Sequence, residues 1–553
     1  MNPSSFTKFV MMVVLDGWGL APEGPGNAIT LANTQNIRGF WASYPHTQLG
    51  ASGESVGLPR GEVGNTETGH LNLGAGKIIY QDLARINMSI ADGSFFENEV
   101  LLSAFNHAQK NNSNLHLMGL IGAGGVHSNI EHLFALIQLA NRQKFTKVYL
   151  HLFTDGRDSP PTAAGSYIAK IREVIRREGI GTIASIMGRY WAMDRDRRWE
   201  RTQKAYFALT RGEGHLIKTP EEAIQISYAA GKTDEFVYPC LITELSGKPV
   251  GLIKENDAVV FFNFRIDRPR QLSRAFVLDD FAKASVDIGF DPYLVKYEKR
   301  HTLEPIITPK LFERGPRIKN LFFVTMTEYS KDIKSDGAQV AFPPEIVHFP
   351  LGAVIAENNL KQLRVSESEK ERFVTFYFNG QQETAFQFED RLIIPSPKVA
   401  TYDKSPQMSA ITMTETLLER LKVNNLYSFI LINYANADMV GHTGNLGAAI
   451  NACSTVDQCV GKLADYVLSR DGVMFIVADH GNAEEMVNFQ TGAINTEHSS
   501  NPVPFIAINK KFIGKNEMLR AGILADVAPT ILRCLDIQVP SSMMGRNLLE
   551  GQF

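Results

Sequence analysis

Phe9-Val10-Met11-Met12-Val13-Val14-Leu15-Asp16-Gly17-Trp18-Gly19 is the stretch on which the fold turns. An apolar run with no polar alternation ends abruptly at a carboxylate and two glycines. A strand with one wet face alternates, whereas a strand covered on both faces does not. The run is far short of the roughly 20 residues that a membrane span needs. No small-residue cleavage site follows it. It predicts a buried parallel strand with Asp16 at its carboxyl end, which is where open α/β sheets bind ligands.

Similar runs recur at Val148–Phe153, Ala258–Phe264, Phe429–Asn433, Val473–Ala478 and Pro504–Ile508, with a strand-like Leu321–Met326. Helical periodicity lies between them, at Asn129–Gln143 and at Val456–Ser469, the latter followed by Gly472. Strand and helix in alternation predict an α/β protein with largely parallel sheets. Charge gathers where these strands end. Asp16 closes the first run, and Asp155-Gly156-Arg157-Asp158 the next. Arg265, Asp267 and Arg268 follow Ala258–Phe264. Asp438 and His442 follow Phe429–Asn433, and Asp479-His480 ends Val473–Ala478. Five polar strand ends in one chain predict one or more polar active sites.

The bulk composition excludes other classes. The chain has 553 residues, 44% hydrophobic and 21% charged, with a net charge of −3. Disordered and fibrous chains are ruled out. Nonspecific nucleic-acid binding is not expected without an excess of positive charge. Cores stop growing near 250–300 residues, so roughly two to four domains are expected. Cys240, Cys453, Cys459 and Cys534 show neither CxxC nor zinc spacing, which suits a reducing cytoplasm. Gly74-Ala75-Gly76 and Ala341-Phe342-Pro343-Pro344 read as linkers that would cut out a middle piece.

Asp438 and His442, four residues apart, share one face of a helical turn and make half of a metal site. Asp479, His480, His498 and Asp16 add donors of the kind that suit Mn²⁺ or Zn²⁺, enough for one or two ions. A lone Asp-His pair is more often structural, but the whole set argues for metal. Thr66 in Gly64-Asn65-Thr66-Glu67-Thr68-Gly69-His70 offers a glycine-flanked hydroxyl that a metal could activate as a nucleophile. Arg157, Arg189, Arg195, Arg265 and Arg268 follow glycines, aromatics and strand ends, which favours an anionic pocket over a surface charge run. His127 heads the helix Asn129–Gln143, where anions are favoured. Metal, hydroxyl and arginines together imply phosphoryl or sulfuryl transfer to or from a small polyanion.

These motifs resemble the cofactor-independent phosphoglycerate mutases of the alkaline phosphatase superfamily. The resemblance runs nearly end to end. It includes VVLDGWG at 13–19, GNTETGHLNLGAGK at 64–77, GGVHS at 124–128, DGRD at 155–158 and GRYWAMDRDRRWER at 188–201. It continues through FNFRIDR at 262–268, QLRVSESEK at 362–370, IPSPKVATYD at 394–403, NYANADMVGHTG at 433–444, DHGNAE at 479–484 and EHSSNPVPF at 497–505.

The resemblance implies two α/β domains: an alkaline-phosphatase-like metal domain (1–78 and 346–553) split by an inserted phosphotransferase domain (82–341). Linkers would lie near 79–81 and 342–345. It implies interconversion of 3- and 2-phosphoglycerate in glycolysis and gluconeogenesis through a phosphoenzyme, without 2,3-bisphosphoglycerate. One metal would be held by Asp438, His442 and His498. The other would be held by Asp16, Asp479, His480 and the nucleophile Thr66. Two Mn²⁺ are the family's commonest choice, with Zn²⁺, Co²⁺ or Mg²⁺ as alternatives and no organic cofactor. Lys370 would stand near both metals, and Arg265 and Arg268 would grip phosphate. His127, Arg157, Arg189 and Arg195 would hold glycerate, and Asp158 would move protons at its hydroxyls. The two domains would have to close over a substrate that reorients between half-reactions. Partners would be small phosphoglycerates, with no nucleic acid and no membrane, and the protein would be a cytoplasmic monomer. Metal binding needs neutral histidines and should weaken toward pH ~6.5.

The chain departs from the family at the nucleophile, where GNTE replaces GNSE. A methyl on the nucleophile stiffens χ1 and crowds its approach. The stretch around 285–320 is also longer than is usual in the family. Two other readings remain at this point. A metal-dependent phosphatase or phosphodiesterase would share the metal residues but not need the arginine-rich middle piece. A metabolite-binding protein that lost activity through the Ser-to-Thr change would have no reason to keep every metal-ligand candidate.

Overall fold

A computed structural model describes residues 9–285, 310–423, 426–488 and 491–551. The charged run 296–300, and with it most of the long stretch around 285–320, lies outside the described residues. The chain divides into two compact units, Met1–Gln81 with Glu345–Phe553, and Asp82–Pro344.

The first unit is built on an eight-stranded mixed sheet. Its order is Glu389–Ile394, Lys361–Glu367, Tyr427–Tyr434, Val10–Leu15, Val473–Val477, Val503–Ile508, His46–Gly50 and Gly522–Ile523. Val10–Leu15 lies inside it, parallel to both neighbours, with Leu15 opposite Tyr434 and Val14 opposite Val477. Every residue of that strand is at most 1% exposed, which is why its sequence is continuous rather than alternating. Val503–Ile508 runs antiparallel to both of its neighbours. The helix Leu446–Ser469 begins ten residues before the periodicity from Val456 suggests, where Asn445 accepts a capping bond from the Ala448 N–H.

The second unit carries another eight-stranded mixed sheet. Its order is Gln339–Phe342, Phe322–Thr327, Ala258–Phe261, Leu115–Ile121, Val148–Thr154, Thr182–Gly188, Cys240–Ile242 and His215–Ile217. Cys240–Ile242 pairs antiparallel with Thr182–Gly188, so this sheet is not purely parallel either.

Several sequence expectations need correction. Gly74 and Ala75 are not a linker: they finish the helix Thr66–Ala75, and Gly76 caps it in the left-handed conformation (φ 64°). Ala341 and Phe342 belong to the edge strand Gln339–Phe342, so regular structure stops only at Pro343. The strand Ala258–Phe261 is three residues shorter than its apolar run, because Phe262–Phe264 turn out of the sheet into the loop before Arg265.

All four cysteines are free and buried. Among the described residues no helix is long and apolar enough to cross a membrane.

Candidate metal centre and arginine pocket

In the first unit, three parallel strands deliver carboxylates to one sheet edge. Asp16 follows Val10–Leu15 and donates its backbone N–H to the Tyr434 carbonyl. Asp438 lies in the short helix Asn436–Gly441 after Tyr427–Tyr434, and Asp479 follows Val473–Val477. Gly17 makes the crossing tight. Its φ is +74°, and a Cβ there would stand 2.7 Å from the Asp438 Cα.

Thr66 is the first residue of the helix Thr66–Ala75, which Asn65 caps by accepting from the Thr68 N–H. That places the hydroxyl at the positive end of a helix. Thr66 Oγ1 lies 2.9 Å from His480 Nε2, 3.4 Å from Asp16 Oδ1 and 3.1 Å from Lys370 Nζ. Lys370 also pairs with Asp16 Oδ1 at 2.7 Å and Asp438 Oδ2 at 2.8 Å.

His442 and His498 are oriented by backbone carbonyls. Their Nδ1–H groups donate to Thr496 O at 2.7 Å and Gly64 O at 2.8 Å. Each therefore turns Nε2 toward Asp438 Oδ1, at 3.1 Å in both cases, and the two Nε2 atoms are 3.1 Å apart. Two ring lone pairs and a carboxylate oxygen at that spacing need a cation or proton among them.

The charges are unbalanced in the same direction. Asp16, Asp438 and Asp479 are buried around a single lysine. Burial opposes the charge of Lys370, but Asp16, Asp438 and Asp479 outweigh it and raise its pKa. His480 is likewise opposed by burial yet pushed up to about 10, chiefly by Asp479. His442 is raised by Asp438 against its own burial. Asp479, despite burial, is held down to about 2 by His480, His70 and Lys370. Its Oδ2 accepts no hydrogen bond. Buried carboxylates with an open oxygen, and imidazoles fixed by second partners, are what divalent cations of intermediate hardness require.

Two groups of candidate ligands have donor atoms within 4.8 Å of one another. They are Asp438, His480 and His498, and Asp16, His70 and Asp479. The family's division places His442 in the first set and His480 in the second, and the distances put His480 near both. His70 was not singled out by sequence. It lies one helical turn after Thr66, donates from Nδ1 to Thr66 O at 3.0 Å, and sits 3.2 Å from Asp479 Oδ2. The i, i+4 spacing from the hydroxyl was the available signal.

The second unit gathers the arginines. Arg157 and Asp158 follow Val148–Thr154, and Arg189 opens a turn of helix after Thr182–Gly188. Arg195 lies in the next loop, and Arg265, Asp267 and Arg268 follow Ala258–Phe261. Arg189 Nη1 pairs with Asp155 Oδ1 at 2.6 Å and also with Asp158. Arg195 Nη1 and Arg265 Nε share Asp267, at 2.7 and 3.3 Å. His127 stands between two carboxylates, 3.6 Å from Asp158 Oδ2 and 3.5 Å from Asp267 Oδ1. Burial, with Arg189, Arg265 and Arg268 beside it, lowers its pKa to about 3. Asp158 is held below the usual carboxylate range: burial opposes this, but Arg189 overrides it.

Arg268 differs from its neighbours. It forms no ion pair within 4 Å among the described residues, and its Nε has no hydrogen-bond partner. Burial and the adjacent arginines press its pKa down to about 10. A cavity of about 120 Å³ is lined by Arg157, Arg189, Arg195 and Arg268, and also by Arg198 and Arg201, which sequence reading left unassigned. A half-buried guanidinium with an unpartnered Nε, in a cavity walled by other arginines together with Asp194, Asp196 and Glu235, is suited to an anion.

A family model described as "BPG-independent PGAM N-terminus" matches residues 86–331. The chain is 50% identical to a 2,3-bisphosphoglycerate-independent phosphoglycerate mutase of Moorella thermoacetica, over 98% of each chain. It is 48% identical to the protein of that name from Clostridium novyi, over 98% of this chain and 99% of that one. A crystal structure of Leishmania mexicana phosphoglycerate mutase at low cobalt concentration superposes with a TM-score of 0.59. That match has 27% identity and covers 99% of this chain and 98% of the other.

Proposed function

The chain belongs to the 2,3-bisphosphoglycerate-independent phosphoglycerate mutases, and from that premise we propose that it passes a phosphoryl group through Thr66 to interconvert 3- and 2-phosphoglycerate. The observation that carries this reading is the setting of Thr66 Oγ1, at a helix N-terminus and within 3.4 Å of Lys370, His480 and Asp16.

Two divalent cations, Mn²⁺ by family preference, would be held by Asp438, His442 and His498, and by Asp16, Asp479, His480 and Thr66, with His70 adjoining the second set. When bound they would lower the hydroxyl's pKa and neutralise charge on the phosphoryl oxygens. Thr66 forms the new O–P bond as the bond to the C3 oxygen of glycerate breaks, and its proton ends on that oxygen. Lys370 keeps its charge throughout, which stabilises negative charge at the transferring group. Arg265 and Arg268 take the phosphate. His127, Arg157, Arg189 and Arg195 hold glycerate. Asp158, held ionised by Arg189, accepts the C2 hydroxyl proton as that oxygen attacks phospho-Thr66 and the Thr66 O–P bond breaks; Asp158 then releases the proton to water, and a proton from water restores the Thr66 hydroxyl. Glycerate lost between the two steps would leave phospho-Thr66 to water, so retention by the arginines separates a mutase from a hydrolase.

This reading extends to a monomer serving glycolysis and gluconeogenesis in the cytoplasm, and the four buried free cysteines suit a reducing compartment. The test is purified protein with Mn²⁺ and 3-phosphoglycerate, without bisphosphoglycerate, coupled to enolase. Formation of 2-phosphoglycerate together with phosphate on Thr66 by mass spectrometry supports the proposal. Free phosphate alone would make the protein a phosphatase, and no product would make it a binding protein.

A further inference from the structure

Glu484 lies five residues past Asp479 and is fully buried. Among the described residues no cation lies within ion-pair distance of it. Its carboxylate instead accepts four hydrogen bonds. Oε2 takes the backbone N–H of Gly19 at 3.0 Å and of Asn482 at 2.9 Å. Oε1 takes Asn501 Nδ2 at 3.0 Å and the Ser499 hydroxyl.

Those donors come from three separate segments. Gly19 follows Asp16, Asn482 follows Asp479 and His480, and Ser499 and Asn501 follow His498. Every segment that Glu484 grips thus carries a candidate ligand. The approach is close enough to dictate residue type. A Cβ on Gly19 would stand 2.2 Å from Glu484 Oε1, and one on Gly481 would stand 2.3 Å from it. Gly481 and Ser499 also form a β-bridge, with Ser499 N–H donating to Gly481 O at 3.0 Å. The joined loops bring the His480 and His498 rings face to face, with centroids 3.9 Å apart. Asn482, held by its backbone, aims Nδ2 at Asp438 Oδ1 at 3.1 Å.

We propose that Glu484 is a positioning residue for the divalent-cation site, an anionic clasp that sets the spacing of the loops bearing Asp16, Asp479, His480 and His498 without touching the ion. The inference rests on the two-cation reading above. A buried carboxylate is costly unless its oxygens are satisfied. Here the four donors that satisfy it are the loops themselves, so clasp and ligand geometry form together. A neutral amide in its place would accept the two N–H groups and donate to Ser499, but it would turn a donor against Asn501.

Full-length protein stripped by chelator and titrated calorimetrically with Mn²⁺, well below each variant's melting temperature, tests this. Glu484→Gln should weaken Mn²⁺ on the order of tenfold and Glu484→Ala on the order of a hundredfold, the range seen when partners that orient ligands are lost. Ser499→Ala, which removes one donor and disturbs folding least, should fall between wild type and Glu484→Gln. A folded Glu484→Gln with Mn²⁺ affinity within about twofold of wild type overturns the inference even if its metal-free melting point drops, because a purely structural clasp would move only the latter. Failure of the wild type to bind Mn²⁺ would instead overturn the two-cation reading.

Discussion

The Lys370 ammonium donates to Thr66 Oγ1 at 3.1 Å while its other two protons are taken by Asp16 Oδ1 and Asp438 Oδ2. All three donors of the amine are used, so it is fixed in place. With His480 protonated and donating from Nε2, the Thr66 hydroxyl proton must then point away from both cations, toward Asp16 Oδ1. Lys370→Met should lower kcat on the order of 10²–10³-fold, the cost of losing one preorganised electrostatic donor. Lys370→Arg should not restore it, since a planar fork cannot meet three acceptors set around a tetrahedral nitrogen. The enolase-coupled assay at saturating Mn²⁺ and substrate reads both, and a near-wild-type arginine variant would contradict this placement.

Thr66→Ala should remove the phosphoenzyme and cost about three orders of magnitude or more in turnover, as loss of a nucleophile does. Thr66→Ser should keep the phosphoenzyme, because it removes only the methyl that stiffens χ1. Mass spectrometry of substrate-quenched protein finding the phosphate elsewhere, or an active Thr66→Ala, would sink the assignment.

Arg268 has an open guanidinium edge, and its loss should be felt in binding. Arg268→Met should lower kcat/KM for 3-phosphoglycerate about 10–100-fold, the worth of a hydrogen bond to a charged group. Steady-state kinetics across a range of substrate concentrations decide this. An unchanged kcat/KM would remove Arg268 from the anion site.

Protons and cations compete at the metal centre. The pKa of His480 is raised to about 10, so it holds a proton at neutral pH that a cation must displace, and Asp438 raises that of His442 as well. Mn²⁺ affinity should therefore rise with pH from about 6 to 8, with protons released on binding. Calorimetry in buffers of differing ionisation enthalpy counts those protons. Activity at limiting Mn²⁺ that stayed flat over this range would unseat the ligand assignment.

Acid should act differently on the second unit. Burial keeps His127 and His132 neutral down to about 3, and lowers His116 and His151 as well. A histidine with a depressed folded pKa contributes stability above its unfolded pKa, about 6.5, and loses it as pH falls toward the folded value. Hydrogen exchange, corrected for intrinsic rate, should speed up in Leu115–Ile121 and Val148–Thr154 between pH about 7 and 5. His116 and His151 lie in those strands, joined at 3.0 Å and tied to Asp257 and Ser185. Unchanged protection there would mean that these rings are already charged.

The central strands were legible because both faces are covered and their apolar runs are unbroken. Lys361–Glu367 was not, because fully buried Arg364 interrupts it. Phe378 and Phe429 accommodate the guanidinium, which lies 5.0 and 5.5 Å from their ring centroids. Leu115–Ile121 was missed in the same way, its run broken by His116 in a hydrogen-bonded chain. At the site, side chains at strand ends could be read from sequence. Glu484 could not: its partners include the Gly19 N–H, 465 positions away, and no residue type announces where a backbone amide points. Arg198 and Arg201 line the cavity from a motif whose other arginines drew the assignment.

The strand Val10–Leu15 has neighbours only at Tyr427–Tyr434 and Val473–Val477. On the ribosome it must wait about 400 residues for the first of them, on the order of 20–80 s at about 5–20 residues per second. The second unit, one continuous stretch, can complete its own sheet in that interval. The nascent chain therefore carries a finished globule behind an unpaired, wholly apolar amino-terminal strand. It should depend on a holding chaperone until the last third of its sequence has emerged.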